Sequence, residues 1–213
     1  MISLQEMANL TTLYSQPQRH YHNINHINDC LVELENFSHP DFDKPHRTLV
    51  ESAIWYHDAI YNPYSSLNEW HSMNLVTEIG YEMDDPFFKR VGELVIYTRR
   101  HLETLEFSYY GVQLKPELYL PCKVLLDIDL SGFGKPWEIY VKHSDNIRNE
   151  YYHTSDYDFA IGRLDFLKKI NKRESLYYTD HFKRLYHEQS KKNIGREIYE
   201  VEKRLNPLGV GTH

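Results

Sequence analysis

The 213-residue sequence is poor in cysteine, and this excludes one class of site. Its two cysteines, Cys30 and Cys122, do not form a CxxC pair. They cannot build a disulfide framework or a thiolate zinc site, which is typical of reducing compartments. The sequence also lacks any apolar run near the roughly 18 residues of a membrane span. Its first stretch, MISLQEMANLTTLYSQ, is too polar for a signal peptide. We therefore expect a cytoplasmic protein with no membrane partner.

The sequence has no excess of positive charge. Its 24 lysine and arginine residues are outnumbered by 31 aspartate and glutamate residues, for a formal net charge of −7. Non-specific nucleic-acid binding needs a basic face that neutralises phosphates, so we do not expect it. With 41% hydrophobic residues and no low-complexity tract, the chain is expected to fold as a single domain over residues 1–213. The oligomeric state is left open, and an oligomer is compatible with the sequence.

Alternating polar and apolar segments bounded by hairpin turns are missing as well, which disfavours β-structure. Apolar residues instead recur every three or four positions, as on one face of a helix. This spacing predicts an all-α helical bundle of roughly eight to ten helices. Gly80 is expected to end one of them. The helical segments are residues 24–37, 46–61, 68–80, 84–101, 117–134, 135–152, 158–170 and 177–205.

What the sequence does contain is 13 histidines, three of them in HYHNINH at residues 20–26. His26 lies near the apolar side of one predicted helix, and His57 lies on the apolar stripe of the next. Asp58 has apolar neighbours, a poor environment for an unpaired carboxylate. In the run LLDIDLSGFG, Asp127 or Asp129 could supply a further oxygen. One shared cation would satisfy all these groups, since divalent metals bind imidazoles and carboxylates that project inward from facing helices.

The order of these residues resembles the HD superfamily of metal-dependent phosphohydrolases. The likeness rests on RHYHNINHI, AIWYHDAIYNP, NEWHS, LLDIDLSGFG and IRNEY between residues 19 and 151, and GRLDFL and KKNIGREI extend it towards the C-terminus. These blocks resemble, more narrowly, a bacterial group of predicted HD phosphohydrolases. YHNINHINDCL and DIDLSGFGKPW are similar to metal-site segments of class I cyclic-nucleotide phosphodiesterases. The resemblance implies an HD-domain helical bundle. It does not imply cyclic-nucleotide specificity, because we identify no counterpart of the glutamine that clamps the purine in those enzymes.

The resemblance implies a ligand set. The metal ligands would be His26, His57, Asp58 and Asp129, and Asp129 is preferred to Asp127 because the last aspartate of the family precedes Leu-Ser. The implied cofactor is one or two divalent ions per chain. Mn, Fe, Co, Ni, Zn and Mg are not distinguished by such ligands.

The resemblance also implies a reaction. A small phosphomonoester, nucleotide or phosphodiester would be hydrolysed by attack of a metal-activated water, with Asp58 or Glu69 as the base. His22 would be the general acid that protonates the leaving oxygen. Because His22 and His26 are four positions apart, on a helix they would share a face with Cβ atoms about 5–6 Å apart.

Three further residues have two interpretations each. His101 and His71 could complete a second metal centre, as in some HD enzymes. Otherwise His101 would stabilise a helix C-terminus and His71 would be a surface residue. Glu69 could act on water at the metal site, or it could be an ordinary carboxylate in the first turn of a helix.

Binding of phosphate requires cations or N–H donors. Arg148, in IRNEY, is the first candidate, and its alternative is an ion pair with a carboxylate such as Glu150 or Asp156. Arg19, beside the histidine cluster, could also face the substrate, whereas His20 is expected to face solvent.

Two rival functions remain. The chain could be a regulatory module of HD fold that binds metal and a nucleotide without significant turnover. It could also be an all-α protein with structural histidines and no metal. The presence of His22 favours an enzyme, because a pure binder has no need of a proton donor.

Overall fold

The computed structural model describes residues 2–83, 85–101 and 112–206. Within these ranges the chain forms nine α-helices and no β-strand, which confirms the predicted all-α fold. The helices are α1 (Leu4–Tyr14), α2 (Ile24–Asn36), α3 (Lys44–Tyr56), α4 (Asn68–Met83), α5 (Pro86–Tyr97), α6 (Tyr119–Asp129), α7 (Trp137–Glu150), α8 (Asp156–Asn171) and α9 (Asp180–Leu205). Short 3-10 helices cover Thr98–Arg100, Pro116–Leu118 and Leu130–Gly134. Every helix in the described part of the chain is too short or too polar to cross a bilayer.

The chain divides into two compact units, Met1–Asp129 and Leu130–His213. The first contains α1 to α6, and the second contains α7 to α9. The single domain expected for residues 1–213 stays a prediction.

Helix α3 is the centre of the first unit, where it packs against α1, α2, α4, α5 and α6. Its inner residues Val50, Ala53 and Ile54 are fully buried. They come from the apolar spacing that predicted the helix. Because α3 is held on several sides, the residues at its C-terminal end have fixed positions, and these include His57 and Asp58.

Helices α4 and α5 approach each other closely at two glycines. A Cβ atom on Gly80 would lie 2.7 Å from Phe88 Cβ, and one on Gly92 would lie 2.6 Å from Thr77 Cγ2. Larger side chains at either glycine would push the helices apart. The prediction that Gly80 ends a helix is therefore wrong: α4 continues to Met83, and the glycine serves helix packing inside it.

Two other helix boundaries differ from the prediction. Helix α1 was not predicted, although a capping box between Ser3 and Glu6 begins it. Helix α3 ends at Tyr56 with His57 as its C-cap, whereas the sequence predicted helix to residue 61. Beyond His57 other hydrogen bonds replace those of the α-helix: Ile54 O faces His57 Nδ1 at 2.8 Å, Ala59 N donates to Tyr56 O at 3.1 Å, and the carbonyls of Asp58 and Ala59 accept from Arg19.

The second unit is built around a buried charged network. The Glu197 carboxylate on α9 accepts hydrogen bonds from Arg163 Nε (2.9 Å), Arg163 Nη2 (3.0 Å), Ser144 Oγ (2.8 Å) and the Tyr140 hydroxyl. Burial raises the pKa of Glu197, but these donors outweigh it, so the pKa lies below its usual value. The network joins α7, α8 and α9 through one carboxylate.

Candidate metal centre

Two imidazoles meet between α2 and α3 in the first unit. His26 lies in the first turn of α2, and His57 is the C-cap of α3, where its N–H donates to Ala53 O at 2.9 Å. Both side chains are buried, with 7% and 1% of their surface exposed. Their Nε2 atoms are 3.3 Å apart. Two nitrogens that face each other this closely need a proton or a cation between them.

Two carboxylates complete the cluster. Asp58 Oδ2 is 3.1 Å from His57 Nε2 and 3.9 Å from His26 Nε2. Asp129, the last residue of α6, has Oδ1 3.2 Å from His26 Nε2 and 3.6 Å from His57 Nε2. Asp127 is fully buried, and residues two apart on a helix point to different faces. The geometry thus brings Asp129 to both imidazoles, as the resemblance implied.

A backbone carbonyl sets the tautomer of His57. His57 Nδ1 lies 2.8 Å from Ile54 O. A carbonyl only accepts hydrogen bonds, so Nδ1 carries a proton, and in the neutral ring Nε2 is the nitrogen whose lone pair faces the cluster. Imidazoles that bind metals in proteins are oriented in the same way by a partner at the other ring nitrogen.

The carboxylates of the cluster favour the binding of protons or cations beside them. Burial raises the pKa of Asp58, but His57 and His22 outweigh it and hold this pKa well below its usual range. Asp129 behaves in the same way, with His57, His101 and His26 as its partners. Burial lowers the pKa of His57, whereas Asp58 and Asp129 raise it well above its usual range. The carboxylates therefore attract cations: a proton on His57 supplies one charge, and a divalent ion would supply two.

His26, His57 and Asp58 together form a group that could hold a metal ion. Ligand atoms about 2.1 Å from a common ion are about 3.0–3.4 Å apart when adjacent. The separations in the cluster run from 3.1 to 3.9 Å, so small side-chain movements would bring the atoms onto one ion. Nitrogen and oxygen donors without thiolate suit a borderline or hard divalent metal. The residues present fit such an ion.

His22 lies beside this group, but not on the helix that carries His26. It occupies a turn that ends at Asn23, the N-cap of α2. The expectation that both histidines share a helix face is therefore wrong, because the Asn23 side chain caps the helix at Asn25 N and stops it there. The turn nevertheless brings the two rings to a centroid distance of 6.1 Å at an interplanar angle of 74°.

Arg19 has a role that the sequence did not reveal. Its side chain is buried, and Nη1 donates to His22 O (3.1 Å) and Asp58 O (2.7 Å), while Nη2 donates to Ala59 O (2.8 Å). One guanidinium thus ties the segment of His22 to the segment of His57 and Asp58. The arginine is committed to backbone carbonyls rather than facing a substrate. The only sequence feature that pointed to Arg19 was its position beside HYHNINH.

Replacement of Arg19 by methionine should destabilise the chain. The change leaves three carbonyls without their donor, and we expect the free energy of unfolding to fall by about 2–4 kcal/mol. Urea unfolding followed by circular dichroism, with excess chelator present, measures this loss. Arg90→Met, at an exposed position of α5, is the control and should change stability by less than about 0.5 kcal/mol. A loss below about 1 kcal/mol for Arg19→Met would contradict the clamp.

His101 and Glu69 lie on the side of the cluster formed by α4 and the end of α5. His101 Nε2 is 2.8 Å from Asp129 Oδ2, the carboxylate oxygen that does not face His26 and His57. Glu69 Oε2 is 3.7 Å from Arg99 Nη1. Burial and the charge of Asp58 raise the pKa of Glu69, opposed by Arg99 and His101. Both residues are thus near the cluster, and their chemical roles stay predictions.

His71 and Arg148 are placed differently. His71 is exposed on α4, and its ring contacts Trp70. Arg148, in the second unit, donates to Asp156 Oδ1 at 2.7 Å and to the carbonyls of Tyr151 and Thr154. These bonds join α7 to the start of α8. The ion pair with Asp156 is the alternative that the sequence offered for this arginine. Roles in a second metal centre or in phosphate binding stay predictions for both.

Comparison of the chain with models of protein families, with curated proteins and with solved structures found no match. The resemblance to the HD superfamily therefore rests on the quoted sequence blocks alone. What the structure adds is independent of any relative: four residues named from those blocks, His26, His57, Asp58 and Asp129, meet in one place.

Proposed function

We propose that this chain is a metal-dependent phosphohydrolase of HD type, which hydrolyses a small phosphomonoester, nucleotide or phosphodiester. The observation that supports this most is the meeting of two imidazoles and two carboxylates from three helix ends within 3.1–3.9 Å. Two buried imidazoles and two partly buried carboxylates at such distances would be a costly way to stabilise a core.

The ion would be held by His26, His57, Asp58 and Asp129. A divalent ion at these ligands would lower the pKa of water and neutralise charge on a phosphate. Mn, Fe, Co, Ni, Zn and Mg remain candidates, in one or two copies, because availability in the cell decides as much as the ligands. A second ion would be held on the side of Asp129 that faces His101.

His22 is the proton donor in this proposal. Its ring stands next to His26 and is not required as a ligand. A half-buried imidazole beside the ligands can protonate an alkoxide as it leaves phosphorus. Asp58, or Glu69 on α4, would accept the proton that water loses. The negatively charged cluster explains why a metal is needed before an anionic ester can approach.

A substrate screen tests the proposal. The chain is stripped with chelator, loaded in turn with each metal, and incubated with 4-nitrophenyl phosphate, nucleoside monophosphates, simple alkyl phosphates and cyclic nucleotides. We expect release of phosphate, or opening of the diester, that disappears with chelator and returns with at least one metal. A chain that binds the metal and turns over none of these esters would instead be the regulatory module without turnover.

A further inference from the structure

Tyr61 contacts the proposed proton donor directly. The Tyr61 and His22 rings are stacked, with centroids 4.4 Å apart and an interplanar angle of 27°. The guanidinium carbon of Arg19 lies 5.5 Å from the centroid of the same tyrosine ring. Tyr61 is half-buried. It lies four residues after His57, in the segment that follows the end of α3.

We propose that Tyr61 is a positioning residue for His22: its ring fixes the imidazole in the orientation that serves proton transfer at the metal centre. The inference rests on the proposed function, because it concerns the same site. It adds a residue to which the sequence blocks assigned no role.

The backbone of His22 is already fixed by other contacts. Arg19 Nη1 donates to His22 O, and Asn23 Nδ2 donates to Arg19 O (3.2 Å) and His20 O (2.8 Å). The orientation of the imidazole then depends on the side-chain torsions, which have a small set of wells. The face of an aromatic ring against the imidazole selects among those wells, since stacked and edge-to-face pairs have preferred geometries.

The aromatic residues around His22 contact its ring in different geometries. Tyr21 meets the imidazole edge-on at 4.9 Å, and His26 lies 6.1 Å away at a steep angle. Only the Tyr61 contact, among those described for the His22 ring, is a parallel stack. Removal of the Tyr61 ring should therefore release the imidazole more than removal of the Tyr21 ring.

The position of Tyr61 in the chain links the donor to the ligands. His57, Asp58 and Tyr61 belong to one short segment, and Arg19 holds that segment at the carbonyls of Asp58 and Ala59. The ring that positions the proton donor is thus carried by the segment that carries two metal ligands. A proton donor held against this segment would stay at a fixed distance from a phosphate at the metal ligands. An error of about 1 Å in that distance can cost about a hundredfold in rate.

The test compares Tyr61→Phe, which keeps the ring, with Tyr61→Leu and Tyr61→Met, which remove it but keep apolar volume. Each is assayed in the metal-loaded chain on an alkyl phosphate ester that the wild type hydrolyses and on 4-nitrophenyl phosphate. We expect Tyr61→Leu to lower kcat on the alkyl ester by about tenfold, with KM changed less than about twofold. The loss on 4-nitrophenyl phosphate should be smaller, because this leaving group needs less protonation. Tyr61→Phe should stay within about twofold of wild type.

A double variant shows whether Tyr61 acts through His22. In the His22→Ala background, Tyr61→Leu should have no further effect on kcat, because the group it positions is gone. A readout without turnover accompanies it. In a histidine-labelled, metal-free sample, the His22 ring signals, assigned by their loss in His22→Ala, should move downfield in Tyr61→Leu and stay in place in Tyr61→Phe.

The outcomes separate the inference from the proposed function. If His22→Ala hydrolyses the alkyl ester as fast as wild type, the proton donor itself is wrong and the proposed mechanism fails. If His22→Ala is slow while both Tyr61→Leu and Tyr61→Met match wild type, the positioning role alone is overturned. Equal losses from Tyr61→Leu with and without His22 would likewise overturn it, since they indicate a general structural effect. If either Tyr61→Leu or Tyr61→Met does not fold, the other variant still tests the positioning role.

Discussion

His57→Ala is expected to lose both metal binding and phosphate-ester hydrolysis. His57 Nε2 has His26 Nε2 and both carboxylates within 3.6 Å, and Nδ1 of the same ring faces Ile54 O. In the proposed site its loss removes one ligand and the imidazole around which the other three gather. We expect metal affinity to fall at least about a hundredfold and turnover to fall with it. Titration of the chelator-stripped chain with metal, followed by assay, measures both.

The matched control for this variant is His20→Ala. His20 belongs to the same histidine-rich stretch and is exposed, and only its backbone carbonyl takes part in the contacts described for the turn. It should bind metal and turn over substrate like wild type. Circular dichroism shows whether His57→Ala keeps its helices. A folded His57→Ala with wild-type metal affinity would remove His57 from the ligand set.

His22→Ala is expected to separate binding from chemistry. His22 stands beside His26 and is not among the proposed ligands, so the variant should keep the metal content of wild type. Turnover of an alkyl ester should fall by about 10²–10⁴-fold, the usual contribution of a positioned general acid. The loss should be smaller on 4-nitrophenyl phosphate. Loss of metal together with rate would instead identify His22 as a ligand.

The all-α fold was predictable because helical spacing depends only on local sequence. Segments with strong apolar spacing, such as residues 24–37, became helices close to the predicted bounds. Helix α1 was missed because its pattern is short and partly exposed. The early end of α3 was missed because the segment after it is held by side-chain contacts, among them the bonds from the distant Arg19 to the carbonyls of Asp58 and Ala59. The helix propensities of the residues in this segment do not reveal such a contact.

The candidate site was predictable to a similar extent. His26, His57 and Asp58 were named from sequence because imidazoles and a carboxylate in apolar surroundings need a partner, and the resemblance to the HD superfamily preferred Asp129 to Asp127. Their spacing, and the hydrogen bond from His57 Nδ1 to Ile54 O, required coordinates. The Arg19 clamp and the Tyr61 stack were not predictable, since an arginine or a tyrosine in a tyrosine-rich chain has many ordinary uses.

The most direct test of the account is the metal content of the wild-type chain as it leaves the cell. The protein is purified gently without chelator and analysed for Mn, Fe, Co, Ni, Zn and Mg against its measured concentration, with His57→Ala treated in parallel. We expect about one or two equivalents of divalent metal in wild type and a clear deficit in the variant. Less than about a tenth of an equivalent in wild type, with no uptake on later addition of metal, would contradict it.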